Sequence, residues 1–494
     1  MEDRNGRLHG VFTDAETGKL WFALTLSESL LTVQKLDSPP ASSSSAPEQL
    51  DLADCLGSRA LTRDRDALLC AYFYPHRRRW MASGPVRQRE ERQFRVVLKT
   101  AGNDNNGDEE EAEGAKLLEA DRWVRAIRNN ISRLVKSQDV PSLSPTRRSC
   151  GVMVLVNPQS GRGQAMALYN THIQRMLTEA GVPHTLVVTE RQNHARELVR
   201  SADLSQWDAV IILSGDGLLF EVVNGLMERP DWEQAIRTPL GILPGGSGNA
   251  LAASLHFYSG ASPVWGEDLL TSCGFLLCKA LLSCQVSGLD LVSIRLSSGA
   301  RLFSFLSLAW GFVADVDIES EQFRQIGAIR FILGTLLRLA SLRVYRGRLA
   351  YLPAGDSEKG DDLTTDHLVA PLDEPVPQGW TCVDEQEFVL VLAMFQSHLS
   401  EDFHVSPDAR NDDGLIHLYY VSAGVSRAAL LRVFRAMQTG SNLHGACTHL
   451  KYVRAQALRL EPLCTDGMMT VDGERVESAV VQAQVHRAAA RIVR

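Results

Sequence analysis

The stretch Trp207–Glu221 reads WDAVIILSGDGLLFE and joins an apolar run, a glycine turn and a segment with helical spacing. Apart from Asp208, residues 208–213 are apolar and rich in β-branched side chains, which predicts a buried strand. Gly215 and Gly217 remove side chains where the backbone must turn and a ligand must come close. The pattern therefore predicts an open α/β sheet with Asp216 exposed at the carboxyl end of a strand, where such sheets bind ligands. Taken alone, Gly-Asp-Gly is equally compatible with an ordinary turn.

Composition limits the class of protein. The chain has 494 residues, 45% of them hydrophobic, which is enough for two to four domains with apolar cores. The formal net charge is −8, so we expect no nucleic-acid partner, because such proteins carry a basic field. The amino-terminal residues lack an apolar segment, and no uncharged apolar run approaches the roughly 18 residues of a spanning helix. Membrane contact is therefore expected to be peripheral.

The nine cysteines are scattered and form no CxxC pair. Cys273, Cys278 and Cys284 lie among Leu and Phe residues, which favours core thiols over metal ligands. No metal-binding cluster of side chains is predicted. The cysteine usage fits a reduced, cytoplasmic setting.

Residues 6–137 are predicted to form a small β module that ends in a helix, and residues 138–148 a linker rich in Pro and Ser. An acidic loop is predicted at Asn103–Glu113, followed by an amphipathic helix at Ala115–Val135 with Trp123 at its centre. The strand candidates are Trp21–Leu26, Leu30–Leu36, Leu68–Tyr74 and Phe94–Leu98. This order resembles a pleckstrin-homology-like domain.

Two features of this module bear on its ligands. The first turn reads TDAETGK and carries Asp14 and Glu16, where inositide-binding domains of this type carry basic residues. Arg77, Arg78 and Arg79 fit either a basic patch for nuclear import or acidic lipid, or an ordinary solvated loop, and the loop is favoured.

Residues 149–285 alternate between strands and helices. Strand candidates at 152–156, 186–188, 208–213 and 239–243 each end in a polar or glycine-rich turn. The turns read NPQSGRG, TERQN, SGDG and PGGSGNA. In a parallel sheet these turns lie on one edge, and helices that start there offer free N–H groups to phosphate. Neither the Walker sequence nor a complete dinucleotide fingerprint is present.

Residues 286–494 return to β patterning and predict an antiparallel β-sandwich with helical inserts at Ile318–Val344 and Ser426–Met437. The strand candidates are 289–296, 301–308, 347–352, 388–395, 414–420 and 468–471. The segment Ala354–Trp380 is acidic and rich in Pro, and predicts a loop.

Several long stretches between Arg148 and His486 closely resemble the sphingosine kinases, within the diacylglycerol-kinase-like lipid kinases. They are LVNPQSGRG, TERQNHARELV, SGDGLLFEVVNGLMERPDWE, LPGGSGNALA, LSLAWGFVADVDIESE and TVDGERV. The N-terminal module resembles the extension of the type 2 sphingosine kinases, although those carry a longer insert where this chain has residues 354–380.

The resemblance implies a role for each matching residue. Asp216 would be the base that takes the proton of the lipid hydroxyl, and Asp317 would bind the amino group of sphingosine. Lipid binding would also involve Ser214, Gly215 and Gly217. The nucleotide would be bound by Asn157, Pro158, Gln159, Thr189, Glu190, Arg191, Gln192, Asn193, Glu221, Gly246, Ser247, Gly248, Arg324, Arg330, Asp472, Gly473 and Glu474. Without the resemblance, the two arginines could face solvent, and Asp472-Gly473 could be a hairpin turn.

The implied reaction transfers the γ-phosphate of ATP, with Mg²⁺, to the primary hydroxyl of sphingosine or a related long-chain base. The alternatives are a ceramide or diacylglycerol kinase and a catalytically inactive lipid-binding scaffold. Asp317 favours sphingosine over ceramide and diacylglycerol, because those two lipids lack a free amine.

In the segment 318–344, apolar residues would form a lipid slot: Phe323, Ile326, Phe331, Leu333 and Leu336. Its arginines suit a membrane surface or a calmodulin-like partner at residues 330–345, and an ordinary core helix of the β-sandwich is the alternative. A cytoplasmic protein with peripheral membrane association is expected, with a nuclear or organelle-associated pool as an alternative.

Overall fold

The computed structural model describes most of the chain. The described residues are 7–36, 46–79, 84–98, 109–136, 151–320, 338–339, 341–355, 368–384, 386–440, 447–464 and 467–494.

Nine strands and one long helix make up the described part of the N-terminal module. They are β1 (Leu8–Asp14), β2 (Trp21–Leu26), β3 (Leu30–Leu36), β4 (Glu48–Asp51), β5 (Cys55–Arg63), β6 (Asp66–Phe73), β7 (His76–Arg78), β8 (Pro85–Arg87), β9 (Glu90–Val96) and α1 (Glu109–Lys136).

Strands and helices alternate in the next part of the chain, as predicted. The elements are β10 (Val152–Val156), α2 (Ala165–Leu168), a π-helical turn (Tyr169–Ile173), α3 (Gln174–Ala180), β11 (His184–Val188), α4 (His194–Ser201), β12 (Ala209–Ser214), α5 (Asp216–Met227), α6 (Trp232–Ala235), β13 (Leu240–Pro244), α7 (Ala250–Tyr258) and α8 (Gly266–Ser283).

The remaining part is mainly antiparallel β structure. The elements are β14 (Val286–Leu296), β15 (Arg301–Ser304), β16 (Ser307–Gly311), α9 (Phe312–Ser320), β17 (Tyr345–Pro353), β18 (Thr381–Cys382), β19 (Glu387–Met394), β20 (His398–Ser400), β21 (Phe403–His404), β22 (Ile416–Ser422), α10 (Arg427–Thr439), β23 (Leu450–Pro462), β24 (Met469–Val471), β25 (Glu474–Val476) and β26 (Val481–Val493). Ser426 caps α10 by accepting a hydrogen bond from the N–H of Ala429 (3.2 Å).

These elements pack as two compact units. The first comprises the described residues of Met1–Thr146, Thr171–Pro183 and Gly274–Gln285; the second comprises those of Arg147–Asn170, His184–Cys273 and Val286–Arg494. The division into domains at 6–137, 149–285 and 286–494 stays a prediction.

The first unit is built on an antiparallel sheet with the strand order β4-β3-β2-β1-β9-β6-β5, covered by α1. Trp123 of α1 is fully buried and meets the ring of Phe12 edge-on, with 5.2 Å between the centroids. The apolar face of α1 closes this core through Ala120, Ile127 and Ile131. The predicted sheet closed by a Trp-bearing helix is therefore present.

Helix α1 begins at Glu109, so the predicted acidic loop at Asn103–Glu113 is wrong for its last five residues. Acidic residues are favoured in the first turn of a helix, because they oppose the partial positive charge of its free N–H groups. A run of glutamates that resembles a solvated loop can therefore begin a helix.

The first hairpin turn is closed by its own acidic residue. The carboxylate of Asp14 accepts hydrogen bonds from the N–H groups of Thr17 (2.5 Å), Gly18 (3.2 Å) and Leu20 (2.7 Å). These donors hold the pKa of Asp14 well below its usual range. Nearby, Asp66 forms ion pairs with Arg95 and with Lys116. The charges at this end of the module are thus engaged within the module itself.

The module also packs against two helical segments that follow it much later in the chain. Glu179 of α3 is 3% exposed, and its carboxylate accepts hydrogen bonds from the hydroxyl of Tyr74 (2.6 Å) and from Nε of Arg89 (2.7 Å). Lys279 of α8 donates to the carbonyl oxygens of Leu52 (3.3 Å) and Cys55 (3.1 Å), and burial lowers its pKa to about 8. Both contacts lie within the first unit.

The second unit contains a continuous sheet whose first four strands, β11-β10-β12-β13, are parallel. Strands β10 and β12 are buried along their whole length, as expected for a parallel sheet covered on both faces. The same sheet continues through antiparallel strands in the order β26-β23-β17-β19-β16-β24-β25. Three of these, β23, β25 and β26, were not predicted.

The three clustered cysteines differ in their surroundings. Cys273 and Cys278 are buried, and burial raises the pKa of each thiol to about 12, as expected for core residues. Cys284 is exposed and has a positive φ of 56°, so its prediction as a core thiol is wrong.

The buried carboxylate of Glu179 gives a direct test of how firmly the module is attached. We expect Glu179→Ala to lower the free energy of unfolding by about 2 to 3 kcal/mol, because Tyr74 and Arg89 lose their acceptor in a buried setting. Urea unfolding measures the change. The matched control is Glu228→Ala, which removes a half-exposed ion pair with Arg196 and should change the free energy by less than about 1 kcal/mol. Equal effects of the two variants would contradict this account.

Candidate functional site

Four turns meet at the carboxyl edge of the parallel strands. They follow β10, β11, β12 and β13, whose register places their last residues side by side: Val156 opposite Val188 and Leu213, and Ser214 opposite Pro244. The predicted common edge is therefore present.

Ser160 connects two of these turns and was not predicted as a site residue. Its side-chain oxygen accepts hydrogen bonds from the hydroxyl of Ser214 (3.0 Å) and from the N–H of Gly215 (3.1 Å). Ser160 is 3% exposed. Its only signal in the sequence is its position inside the glycine-rich turn NPQSGRG.

The turns after β12 and β13 approach each other more closely than side chains would allow. A Cβ atom at Gly246 would lie 2.3 Å from Cα of Gly215, so only glycine fits there. The N–H of Gly245 also donates to the carbonyl oxygen of Ser214 (3.0 Å). The glycines thus serve backbone contact between turns as well as room for a ligand.

Asp216 is 8% exposed, so the expectation of an exposed carboxylate is wrong. Its two carboxylate oxygens accept hydrogen bonds from the N–H groups of Ala250 (2.9 Å) and Leu251 (3.0 Å), at the start of α7. The first N–H groups of a helix have no partner within the helix, and a carboxylate there is favourable. Burial raises the pKa of Asp216, although these two hydrogen bonds act in the opposite direction.

A cavity of about 550 Å³ opens onto these turns. One part is lined by polar and glycine residues that the sequence analysis had singled out: Asn157, Pro158, Gln159, Thr189, Glu190, Arg191, Gln192, Ser214, Gly215, Asp216, Gly217, Glu221, Gly246, Ser247, Gly248, Asp317, Asp472, Gly473 and Glu474. The structure therefore brings together most of the candidate residues.

One described candidate residue, Asn193, is not among those that line the cavity. Asn193 occupies the position before α4 with a left-handed φ of 62°, so it acts in the turn between β11 and the helix. Arg324 and Arg330 lie outside the described residues, and their predicted contact with phosphate remains a prediction.

A second, apolar part of the cavity was not predicted from the sequence. It is lined by Leu306, Ala309, Phe312, Val313, Val316, Leu392, Leu399, Phe403, Phe434 and Met437. The available signal was helical spacing: Phe312, Val313 and Val316 share one face of α9 with Asp317, and Phe434 and Met437 share one face of α10. The residues proposed for a lipid slot, Phe323, Ile326, Phe331, Leu333 and Leu336, lie outside the described residues.

Asp472 and Gly473 form a hairpin turn between β24 and β25. Their φ angles of 51° and 82° are both positive, as a type I′ turn requires. The carboxylate of Asp472 accepts hydrogen bonds from the hydroxyl of Ser304 and from three consecutive N–H groups, those of residues 305–307 (2.9–3.1 Å). Burial raises its pKa to about 6. Asp472 therefore forms the hairpin turn that the sequence left open, and it also lines the cavity.

The hairpin places the carboxylate of Glu474 near the SGDG turn and itself lies close to the carboxylate of Asp317 on α9. A Cβ atom at Gly217 would lie 2.8 Å from Oε1 of Glu474, and one at Gly473 would lie 3.4 Å from Oδ2 of Asp317. Asp317 is half-buried on α9 and lines the cavity.

Glu221 lies one helical turn after Gly217 on α5 and also lines the cavity. Its Oε2 atom is buried and accepts no hydrogen bond from the described part of the chain. No cluster of three or more His, Cys, Asp or Glu side chains with metal-binding geometry occurs among the described residues.

The described end of the arginine-rich segment corrects one expectation. Arg338 is 5% exposed and forms ion pairs with Asp315 (3.3 Å) and Glu319. Asp315 is fully buried and also accepts hydrogen bonds from the hydroxyl of Tyr345 and the N–H of Met468. Arg338 therefore stabilises α9 from inside the fold and does not belong to a cationic surface.

Comparison with known proteins agrees with this architecture. The family described as "Diacylglycerol kinase catalytic domain" matches residues 151–283, and "YegS C-terminal NAD kinase beta sandwich-like domain" matches residues 308–494. These matches confirm the predicted α/β domain followed by a β-sandwich.

Among the described residues, no helix is both long and apolar enough to cross a membrane.

Similar proteins cover most of the chain. Human sphingosine kinase 1 is 54% identical over 347 residues, which are 69% of this chain and 89% of that protein. Human sphingosine kinase 2 is 37% identical over 609 aligned positions that cover 97% of this chain and 90% of that protein. Sphingosine kinase 1 of Arabidopsis thaliana is 32% identical and covers 65% of this chain. The near-complete match to the type 2 protein includes the N-terminal module, and at these identities the chain belongs to the sphingosine kinase family.

Proposed function

We propose that this chain transfers the γ-phosphate of ATP to the primary hydroxyl of sphingosine and related long-chain bases, which gives sphingosine 1-phosphate. The observation that carries the proposal is a single cavity whose glycine-rich part adjoins an apolar part, with Asp216 and Asp317 in its wall. Phosphoryl transfer depends mainly on positioning and on neutralising charge, so it needs donors for phosphate, a proton acceptor and a slot for the acceptor substrate.

The nucleotide is assigned to the glycine-rich part. Gly246, Ser247 and Gly248 line the cavity directly before α7. The N–H groups of Ser247 and Gly248 can donate to phosphate oxygens, while that of Gly246 is bonded to the side chain of Asn249. The turns at residues 157–159 and 189–192 line the same part and would contact the rest of the nucleotide. Arg324 and Arg330 are proposed to contact the phosphates from the segment that follows α9.

Mg²⁺ fits this arrangement. Oxygen ligands suit this hard cation, and Glu221 offers a buried carboxylate oxygen that accepts no hydrogen bond from the described residues. We propose that Glu221, together with the phosphates, binds Mg²⁺. When bound, the ion would neutralise negative charge on the phosphates.

Asp216 is proposed as the general base. The lipid oxygen attacks the γ-phosphorus, its proton passes to the carboxylate of Asp216, and the bond from the γ-phosphorus to the β-phosphate oxygen breaks to release ADP. Burial raises the pKa of Asp216, which favours proton acceptance. The two N–H groups of α7 hold the carboxylate in place during this step.

We expect Asp216→Asn to lower kcat by about 100- to 10,000-fold, the usual contribution of a positioned base. The amide would also direct an N–H group at the N–H of Ala250 or Leu251, so we expect about 1 to 3 kcal/mol of lost stability. Steady-state kinetics and thermal denaturation measure the two effects. The control is Asp203→Asn, in an exposed turn before β12. A kcat within a fewfold of the unmodified protein would remove Asp216 from this role.

The apolar part of the cavity is assigned to the alkyl chain, and Asp317 to the amino group of the long-chain base. An amine of this kind is a cation at neutral pH, and a half-buried carboxylate beside an apolar wall is a suitable counter-charge. Ceramide and diacylglycerol carry no free amine, which is why this assignment favours sphingosine over them. An inactive scaffold would need none of the cavity's polar part.

We expect Asp317→Ala to raise the KM for sphingosine about ten- to a hundredfold, since a charge-assisted hydrogen bond is lost. The KM for ATP should stay within about twofold. A panel of sphingosine, N-acetylated sphingosine, ceramide and diacylglycerol tests the substrate class. The unmodified protein should prefer the free amine, and the variant should lose that preference. Equal turnover of all four lipids by the unmodified protein would contradict the proposal.

We further propose that the protein works in the cytoplasm and binds membrane surfaces peripherally. Helix α10 supports this: its outer face exposes Arg427, Arg432 and Arg435 together with Leu431, while its inner face contributes Phe434 and Met437 to the cavity. The sequence of α10 contains no acidic residue. A calmodulin-like partner at residues 330–345 remains a second proposal, which the burial of Arg338 weakens.

Replacing Arg427, Arg432 and Arg435 together by Gln should weaken binding to vesicles of phosphatidylcholine and phosphatidylserine by about a hundredfold, since each cation near an anionic surface contributes about 1 kcal/mol. Vesicle sedimentation measures the affinity. The matched control exchanges the exposed Arg63, Arg200 and Arg348, whose side chains are 70%, 56% and 67% exposed. Equal losses for both triple variants would contradict an assignment to α10.

A further inference from the structure

We propose that Glu401 is a positioning residue for the phosphate turn, defined as residues 245–249 between β13 and α7. This inference rests on the proposed binding of nucleotide phosphates by Gly246, Ser247 and Gly248. Glu401 comes from the other part of the second unit, between β20 and β21, and contacts the turn from outside the cavity wall described above.

The phosphate turn is closed by the side chain of Asn249. Its Oδ1 atom accepts a hydrogen bond from the N–H of Gly246 (2.8 Å), and its Nδ2 atom donates to the carbonyl oxygen of the same residue (3.1 Å). Asn249 is 6% exposed and has a left-handed φ of 54°, which asparagine tolerates better than most residues. The conformation of the turn thus depends on which way this amide faces.

Glu401 holds the turn at two points. Its N–H donates to the carbonyl oxygen of Gly248 (2.7 Å), and its Oε2 atom accepts a hydrogen bond from Nδ2 of Asn249 (3.1 Å). A carboxylate can accept but not donate, so it selects the amide orientation in which Nδ2 faces Glu401 and Oδ1 faces Gly246. The two contacts therefore fix both the backbone at Gly248 and the side chain that closes the turn.

The segment that carries Glu401 is itself firmly supported. The rings of His398 and His404 stack with 4.3 Å between their centroids, and His404 packs against Phe257 of α7 at 4.4 Å. Leu399 and Phe403, on either side of Glu401, line the apolar part of the cavity. The same short hairpin thus contacts both the apolar part of the cavity and the phosphate turn. Glu401 is therefore well placed to fix the position of the phosphate turn relative to the apolar part.

Exchange of the donor and the acceptor tests the pairing. Asn249→Asp would place a second carboxylate about 3 Å from that of Glu401, and we expect the KM for ATP to rise about a hundredfold. Glu401→Gln retains an acceptor and should raise the KM for ATP about threefold or less. In the double variant Asn249→Asp/Glu401→Gln the donor and acceptor change places, and the KM for ATP should recover about tenfold or more from that of Asn249→Asp.

The controls separate positioning from general stability. Glu387→Gln, at the exposed first residue of β19, should leave the KM for ATP, the KM for sphingosine and kcat unchanged. The KM for sphingosine should stay within about twofold in Glu401→Gln and in the double variant, because neither changes a residue that lines the apolar part of the cavity. A double variant no better than Asn249→Asp would overturn the inference.

Amide hydrogen exchange of residues 245–250, with and without ATP, distinguishes this outcome from failure of the proposed function. Protection by ATP in the unmodified protein supports the nucleotide assignment whatever the variants do. If ATP gives no protection there, the nucleotide assignment fails, and the inference that rests on it fails as well.

Discussion

The hydrogen bonds from the first N–H groups of α7 to the carboxylate of Asp216 are the interaction on which the site depends. They join the turn after β12 to the turn after β13 and use the part of a helix where donors are otherwise unpaired. Ser160 adds the turn after β10 to the same assembly. The side chains of Asp216 and Ser160 are short, so these hydrogen bonds can form only when the three turns lie in one arrangement.

Much of the α/β part could be predicted from the sequence. The run at 152–156 predicts the bounds of β10 without error, and the strands before the other three turns were located to within two residues. The physical reason is that strands buried on both faces need unbroken apolar runs, and few other structures do. The turns at residues 157–159, 189–193, 214–217 and 246–248 could be located for the same reason, since each follows such a strand directly. The other candidates, among them Asp317 and Asp472, were expected only from the resemblance to the sphingosine kinases.

The rest could not be predicted, for identifiable reasons. Strand β26 reads VQAQVHRAAARIV, and its alanines and arginines are typical of helices. Its polar residues Gln482, Gln484 and His486 are buried like the apolar residues between them, so the polar alternation does not mark an exposed face. The apolar part of the cavity is assembled from β16, α9, β19, β20, β21 and α10, most of which are distant in sequence. The burial of Asp216 follows from its contact with α7, and no local pattern encodes it.

The packing of the N-terminal module against α3 and α8 has a consequence for synthesis of the protein. Tyr74 meets Glu179 across 105 positions, and Leu52 meets Lys279 across 227 positions. At a translation rate of about 5 to 20 residues per second, the ribosome needs about 10 to 45 s to add those 227 residues. During that interval the nascent module exposes the surface that α8 will cover. A chaperone that binds nascent chains would have this surface, and this length of time, in which to act.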